Sequence, residues 1–127
     1  MSVLKRLTKR YDFLSVQRAN VKYVTPSLVM QIAPNAILGQ SDTRVGFTAS
    51  KKIGSAVKRN FAKRRMRALI SRQSDALVEA ADYVVIARQS MLVKKLSDIE
   101  VEMIGAIYAL NKKILLRKAD IKPNLNN

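Results

Sequence analysis

The sequence predicts a single α+β domain with elements in the order α-β-β-β-α-β-α, forming a four-stranded sheet flanked by helices. Its 127 residues suit one domain with a modest core. A hydrophobic content of 48% argues against disorder despite a net charge of +15. Apolar residues follow a strand period in some segments and a helix period in others. We therefore expect residues 1–127 to form one domain, with flexible ends at 1–7 and 119–127.

The first part of the chain predicts a helix followed by strands. Thr8 is a candidate N-cap for a helix over about residues 9–19. Residues 21–25 and 28–33 are rich in β-forming side chains, and Pro26-Ser27 separates them. This pattern predicts two strands with a tight connection, or one strand interrupted at a sheet edge.

A further strand is predicted at 45–49, after a loop that begins at Pro34. If residues 21–49 form a three-stranded antiparallel meander, helices cover one face and the other face is open. An open face beside a basic helix would form a groove for single-stranded nucleic acid.

The middle of the chain predicts a strand, a helix and a second strand. A glycine-containing turn at 50–55 leads into a helix at 56–73 that lacks Gly and Pro. Its predicted core face holds Ala62, Met66, Leu69 and Ile70. The apolar run at 83–87 is typical of a buried central strand, so this region predicts a βαβ unit.

The last part of the chain predicts a long amphipathic helix. Ser97 and Glu100 match a capping box, with Ser97 as the N-cap. Apolar residues then follow a helical period to about Leu116; they are Ile99, Met103, Ile107, Leu110 and Ile114. Helix electrostatics alone explains the acidic residues of its first turn, Glu102 included.

The charge distribution predicts a polyanionic partner. No acidic residue lies between Asp42 and Asp75, whereas ten basic residues do. They are Arg44, Lys51, Lys52, Lys58, Arg59, Lys63, Arg64, Arg65, Arg67 and Arg72. Charges of one sign at this density repel each other, and nucleic acid would relieve that repulsion. The plainer alternative is a solvated basic face.

Composition also restricts the chemistry of the protein. It has no histidine and no cysteine, which removes the commonest general base and the thiolate metal sites. The acidic residues Asp75, Glu79 and Asp82 are interpreted as a solvated turn. We therefore expect no catalytic residue and no metal site in the protein itself. No transmembrane or signal segment is predicted, so we expect a cytoplasmic protein that does not bind membranes and has no obligate protein partner.

The segment 44–60 reads Arg-Val-Gly-Phe-Thr-Ala-Ser-Lys-Lys-Ile-Gly-Ser-Ala-Val-Lys-Arg-Asn, and Lys63-Arg64 and Arg67 follow it. This segment resembles the signature of the bacterial ribonuclease P protein subunit. The resemblance extends to Tyr11-Asp12-Phe13 and to residues 82–88. It departs at Phe61, where the family usually has the second Arg of an Arg-Asn-Arg motif.

The resemblance implies a left-handed βαβ crossover and a role in removing the 5′ leader of precursor tRNA. The partners would be the catalytic RNA, which carries the Mg²⁺-dependent hydrolysis and binds most of the Mg²⁺, and precursor tRNA. The residues implied to contact the catalytic RNA are Arg59, Asn60, Lys63, Arg64 and Arg67. Charge and position add Lys51, Lys52 and Lys58 as candidate RNA contacts.

Three phenylalanines are candidates for contact with the leader or with RNA bases. The resemblance implies that Phe13 faces the leader cleft, although an ordinary core position is the alternative. Phe47 faces either the leader or the core. Phe61 is predicted to be partly exposed and able to stack on a base.

Two other functions fit the charge without the resemblance. One is an RNA- or DNA-binding protein of ribosomal or nucleoid type that has no link to an enzyme. The other is a peripheral membrane protein, which the absence of tryptophan and of a strongly apolar helix face disfavours.

Overall fold

The computed structural model describes residues 4–35 and 42–121, with side chains as far as 116. The strands are β1 (Leu4–Arg6), β2 (Val21–Val24), β3 (Leu28–Pro34), β4 (Thr43–Thr48) and β5 (Ala81–Ala87). The helices are α1 (Arg10–Ala19), α2 (Ala56–Arg72) and α3 (Leu96–Ile121). The predicted α+β class is confirmed. The predicted flexible segment 119–127 overlaps the end of α3 and otherwise lies outside the described residues.

The strands form one mixed sheet in the order β1-β4-β5-β3-β2. β5 pairs parallel with β4 and antiparallel with β3, so it is the central strand that its apolar run predicts. The predicted meander is wrong, because β5 lies between β3 and β4. Since β5 is buried on both faces, the sheet interior is where its side chains are best removed from water. Helix α2 joins the parallel neighbours β4 and β5, and the hand of this crossover stays a prediction.

The sheet has one strand more than the four predicted. Residues 4–6, in the segment 1–7 that we expected to be flexible, pair parallel with β4. The amide of Leu7 donates to the carbonyl oxygen of Val45 at 2.9 Å, and the Leu7 side chain is buried. β1 is short and carries Lys5 and Arg6, which is typical of an exposed sheet edge protected against further pairing.

Hydrophobic residues are buried on both faces of the sheet. On one face, α2 and α3 pack over β3, β4 and β5 to form the main core. The predicted core residues of both helices are buried there, which confirms them. On the other face, α1 covers a smaller cluster formed by Leu7, Val16, Ala33 and Val84, with Phe13 packed against it. The face that we expected to be open is thus partly covered by α1.

Two helix starts differ from the sequence prediction. The N-cap of α1 is Lys9 rather than Thr8. Helix α3 begins at Leu96, so Ser97 lies inside its first turn and the capping box is wrong. The amides of Asp98 and Ile99 instead donate to the carbonyl oxygen of Lys95.

Glu102 is held by tertiary contacts rather than by helix electrostatics alone. Its carboxylate accepts hydrogen bonds from the amide and hydroxyl of Ser27, at 2.8 and 3.0 Å, and from Lys94 Nζ at 2.8 Å. Burial raises the pKa of Glu102, but the bonds from Lys94, Thr25 and Ser27 outweigh it and the net pKa is lowered. Glu102 therefore fixes the turn between β2 and β3 onto α3.

Tyr83 links β5 to α3 and to the segment after α2. Its buried hydroxyl donates to Asn111 Oδ1 at 2.6 Å and accepts from the amide of Val78 at 2.8 Å. Burial raises the pKa of Tyr83 to about 12, and the hydrogen bond with Val78 opposes this increase.

Alkaline unfolding should report on Tyr83. Between pH 10 and about 12 the unfolded tyrosine loses its proton while the folded one keeps it. The unfolded state then binds fewer protons, so stability falls as pH rises, by about 3 kcal/mol over two pKa units. Urea unfolding of the parent and of Tyr83→Phe at several pH values measures this component. The variant should be less stable at neutral pH but lose less stability above pH 10; equal losses would contradict the assignment.

Candidate nucleic-acid interface

The turn that precedes α2 presents basic residues to solvent. A 3₁₀ turn at Lys51–Ile53 is anchored by the buried side chain of Ile53. Gly54 has a φ of 136°, a conformation that side chains rarely allow. Ser55 then caps α2, since its side chain accepts a hydrogen bond from the amide of Lys58 at 3.3 Å. Lys51 and Lys52 are exposed as a result.

The basic face consists of the predicted RNA contacts on and before α2. It comprises Lys51, Lys52, Lys58, Arg59, Asn60, Lys63, Arg64 and Arg67. Each of these side chains is exposed or half-buried, because the core face of α2 uses other positions. Within residues 4–35 and 42–116, none of its cations forms an ion pair with an acidic side chain. The predicted RNA contacts therefore lie on one continuous segment, residues 51–67, where a polyanion can reach their side chains.

Arg44 belongs to the same basic run, but its side chain is largely buried and pairs with acidic residues. Its guanidinium donates to both carboxylate oxygens of Asp82, at 2.9 and 2.7 Å, and contacts Asp12 at 3.3 Å. The hydrogen bond with Asp82 raises the pKa of Arg44 despite opposing desolvation, and Asp12 contributes further. Asp82 is buried, so its interpretation as part of a solvated turn is wrong.

Arg65 and Arg72 also have internal partners. Arg65 donates to the carbonyl oxygens of Met91 and Lys94, at 2.9 and 2.8 Å. These bonds hold the 3₁₀ turn Gln89–Leu92 against α2. Arg72 lies 3.5 Å from a carboxylate oxygen of Glu100. The ten cations of the acid-free run therefore divide into three with structural partners and seven on the basic face.

Phe61 lies on the side of α2 that faces the Gln89–Leu92 turn. Its side chain is 38% exposed, which confirms the predicted partial exposure. The guanidinium carbons of Arg65 and Arg64 lie 5.4 and 6.0 Å from its ring centroid, within the range of cation–π attraction. Stacking of Phe61 on a base stays a prediction.

A cleft separates α1 from the end of β4, and Phe13 lies in it. The cleft has a volume of about 420 Å³ and is lined by Thr8, Arg10, Phe13, Leu14, Gln17 and Thr48. The Phe13 ring packs over Gly46, where an added Cβ would lie 2.5 Å from two ring carbons. Gly46 is therefore required for this position of the ring.

The structure does not bring the two remaining phenylalanines to this cleft. Phe47 packs against the main core, on the opposite face of the sheet from Phe13. A strand bound in the cleft would therefore contact Phe13 and not Phe47. The alternation of side chains along a strand predicts this separation, since Val45 and Phe47 point to one face of the sheet and Gly46 to the other.

The carboxylates described above are committed to basic or polar partners inside the protein. Asp12 and Asp82 contact Arg44, while Glu100 and Glu102 contact Arg72 and Lys94. Among the described residues, no three potential metal ligands from His, Cys, Asp and Glu group together. In the same part of the chain, the helices are too short or too polar to cross a membrane.

Comparison with known proteins identifies one family. A family model described as Ribonuclease P matches residues 1–111. The chain is 40% identical over 107 residues to the ribonuclease P protein component of Paramagnetospirillum magneticum, covering 82% of this chain and 80% of the relative. It is 38% identical over 109 residues to that of Citrifermentans bemidjiense, covering 86% and 90%.

Solved structures agree with the fold. The RNase P protein of Staphylococcus aureus superposes with a TM-score of 0.71 at 26% identity, covering 82% of this chain and 93% of the other. The RNase P protein of Thermotoga maritima superposes with a TM-score of 0.68 at 23% identity, covering 80% and 93%. The second likeness concerns the fold alone.

Proposed function

The chain belongs to the family of ribonuclease P protein components, and we propose that its basic face binds the catalytic RNA while the cleft beside α1 binds the 5′ leader of precursor tRNA. As a member, it is the protein subunit of an endoribonuclease complex that processes the 5′ end of tRNA. Family membership favours this function over a ribosomal or nucleoid role. One observation carries the proposed RNA contact: in the part of the chain that the structure describes, the seven cations of the basic face form no ion pair with an acidic side chain.

Electrostatics supports the contact with the catalytic RNA. Each phosphate that a cation neutralises releases counterions, so affinity falls as salt rises. Bound RNA would also remove the mutual repulsion of the lysines and arginines on the basic face. Asn60, which is exposed among them, can donate or accept a hydrogen bond with a base or ribose.

The cleft beside α1 has the side chains that a single-stranded leader requires. Phe13 offers an aromatic ring for stacking, and Arg10 offers a charge for a phosphate. Gln17 and Thr48 add hydrogen-bonding groups at the margin of the cleft. Phe13 is the aromatic residue among the side chains that line the cleft, so it is the aromatic contact that we assign to the leader.

We also propose that Mg²⁺ in the assembled enzyme is bound mainly by RNA. The protein carboxylates described above already have cationic or polar partners, so they do not fit the oxygen-rich coordination that Mg²⁺ prefers. In this arrangement the basic face assists by reducing phosphate repulsion where RNA strands approach each other. The location that we propose for the complex is the cytoplasm.

Processing of a precursor tRNA tests this function. The reaction contains a bacterial ribonuclease P RNA and is titrated with Mg²⁺, with and without the protein. We expect the protein to lower the Mg²⁺ needed for cleavage and to cleave nothing alone. Binding to the RNA without any stimulation would contradict the proposed function.

Leader length tests the cleft in the same assay. Phe13→Leu should weaken binding of a long-leader substrate about five-fold or more, and leave a substrate with a single-nucleotide leader unchanged. Phe47→Leu is the matched control, because Phe47 lies on the opposite face of the sheet. Equal effects of the two variants would place the leader elsewhere.

A further inference from the structure

A second groove, separate from the cleft beside α1, lies between α2 and the segment 89–93. Its volume is about 600 Å³. It is lined by Val57, Lys58, Phe61 and Arg64 from α2, and by Gln89, Ser90, Leu92 and Val93 from the segment that follows β5. Phe61 also lines an adjacent cavity of about 490 Å³. We call the first of these the α2 groove.

Four of the eight side chains that line the α2 groove are apolar, and three of these four are exposed. Val57, Phe61 and Val93 are 76%, 38% and 85% exposed. Water contact at three neighbouring apolar side chains is unfavourable, and such a patch often marks a binding site. The exposure is therefore consistent with a partner that covers these side chains.

Hydrogen bonds fix the segment 89–93, which forms one wall of the groove, against α2 and the turn before it. Arg65 binds the carbonyl oxygens of Met91 and Lys94 from α2. The side-chain amide of Gln89 donates to the carbonyl oxygen of Lys52, and Met91 is buried in the main core. These contacts fix the segment 89–93 relative to α2, so a ligand would not have to order it.

Charge identifies the class of partner. The charged residues that line the groove, Lys58 and Arg64, are both cations. The sequence around α2 has no acidic residue between Asp42 and Asp75. An aromatic ring with cations beside it matches a nucleotide, which has a flat base and a phosphate at each end. A purely apolar peptide would cover the walls but leave both charges unmatched.

We propose that the α2 groove binds an unpaired base of ribonuclease P RNA, stacked on Phe61, with its flanking phosphates at Lys58 and Arg64. Gln89 and Ser90 lie where they can bond to the edge of the base. This inference rests on the proposed function and adds one contact to it. The family usually has an arginine at the position of Phe61. In this protein, a stacking contact by Phe61 would replace the phosphate contact of that arginine.

Binding of a bacterial ribonuclease P RNA transcript to the full chain tests the stacking contact. Phe61→Leu should weaken binding about 5- to 150-fold, with the salt dependence unchanged because no charge is lost. Phe61→Tyr should bind within about twofold of the parent, because tyrosine keeps the aromatic face. Thermal melting confirms that each variant is folded.

A pair of valines supplies an independent test. Val93→Asp places a carboxylate in the groove, whereas Val101→Asp makes the same charge change on α3 at a similarly exposed valine. We expect Val93→Asp to weaken RNA binding about tenfold more than Val101→Asp, because Val93 lines the groove and its carboxylate would repel the phosphates of the bound nucleotide.

Three outcomes would overturn the proposal. One is equal binding by the parent and Phe61→Leu, and another is equal weakening by the two aspartate variants. The third is self-association of the parent that Val93→Asp abolishes while RNA binding persists, since the groove would then hold a second copy of the chain. If the parent itself fails to bind the transcript, the proposed function fails, and that result is distinct from all three.

Discussion

Replacing Arg59, Lys63 and Arg67 together by glutamine should weaken binding of ribonuclease P RNA roughly 100-fold at physiological salt. These three side chains lie one turn apart along the basic face and have no internal acidic partner among the described residues. Each phosphate contact contributes about 0.7 to 0.9 to the slope of log K against log salt, so the slope should become shallower by about 2 to 3. Titration at several salt concentrations measures both quantities.

The control must remove the same charge from elsewhere on the protein. Arg6, Arg18 and Lys112 are exposed and lie in β1, α1 and α3. Their combined replacement by glutamine also lowers the net charge by three, with the same two arginines and one lysine. If both triple variants lose the same affinity and slope, net charge alone attracts the RNA and the basic face is not a specific interface.

The basic positions of α2 that lie outside its core face could be predicted in advance, because local patterns determine them. The 3.6-residue period of α2 separates Ala62, Met66, Leu69 and Ile70 from the basic positions. Gly54 and Ser55 define the start of the helix in the same local way. Helix period depends on neighbours in sequence, so it can be predicted without knowing the fold, whereas the caps predicted for α1 and α3 were both wrong.

Contacts between distant segments could not be predicted. Arg44, Asp12 and Asp82 meet because β4, α1 and β5 pack together, and no spacing in the sequence reveals this. The insertion of β5 between β3 and β4 has the same origin, since strand order is a property of the whole sheet. Glu102 looked like a first-turn helix residue and instead binds Ser27, 75 positions away.

The α2 groove depends both on a local sequence pattern and on contacts between distant segments. Phe61 could be identified from its unusual place in a basic motif, and its partial exposure followed from the helical period. The opposite wall, at Leu92 and Val93, comes from a segment about thirty residues later and depends on the bonds of Arg65. The sequence therefore indicated the stacking residue but not the groove around it.

Arg44→Met should destabilise the fold by about 3 to 5 kcal/mol, because it leaves the nearly buried carboxylate of Asp82 without its cation. Arg72→Met is the matched control: its ion pair with Glu100 is longer and the Arg72 side chain is 59% exposed. Loss of such an exposed pair costs less than about 1 kcal/mol. Urea unfolding of both variants gives the comparison, and similar losses would show that the Arg44 cluster is no stronger than a surface pair.

The Arg44→Met variant also tests whether Arg44 contacts RNA or serves the fold alone. Asp82→Asn in the Arg44→Met background removes the unpaired charge, so it should restore part of the lost stability. At a temperature where Arg44→Met is folded, the salt slope of RNA binding should equal that of the parent, because Asp82 and Asp12 already neutralise this guanidinium. A slope shallower by about 0.7 to 0.9 would mean that Arg44 binds a phosphate. In that case the boundary between structural and RNA-binding cations in the acid-free run would have to be redrawn.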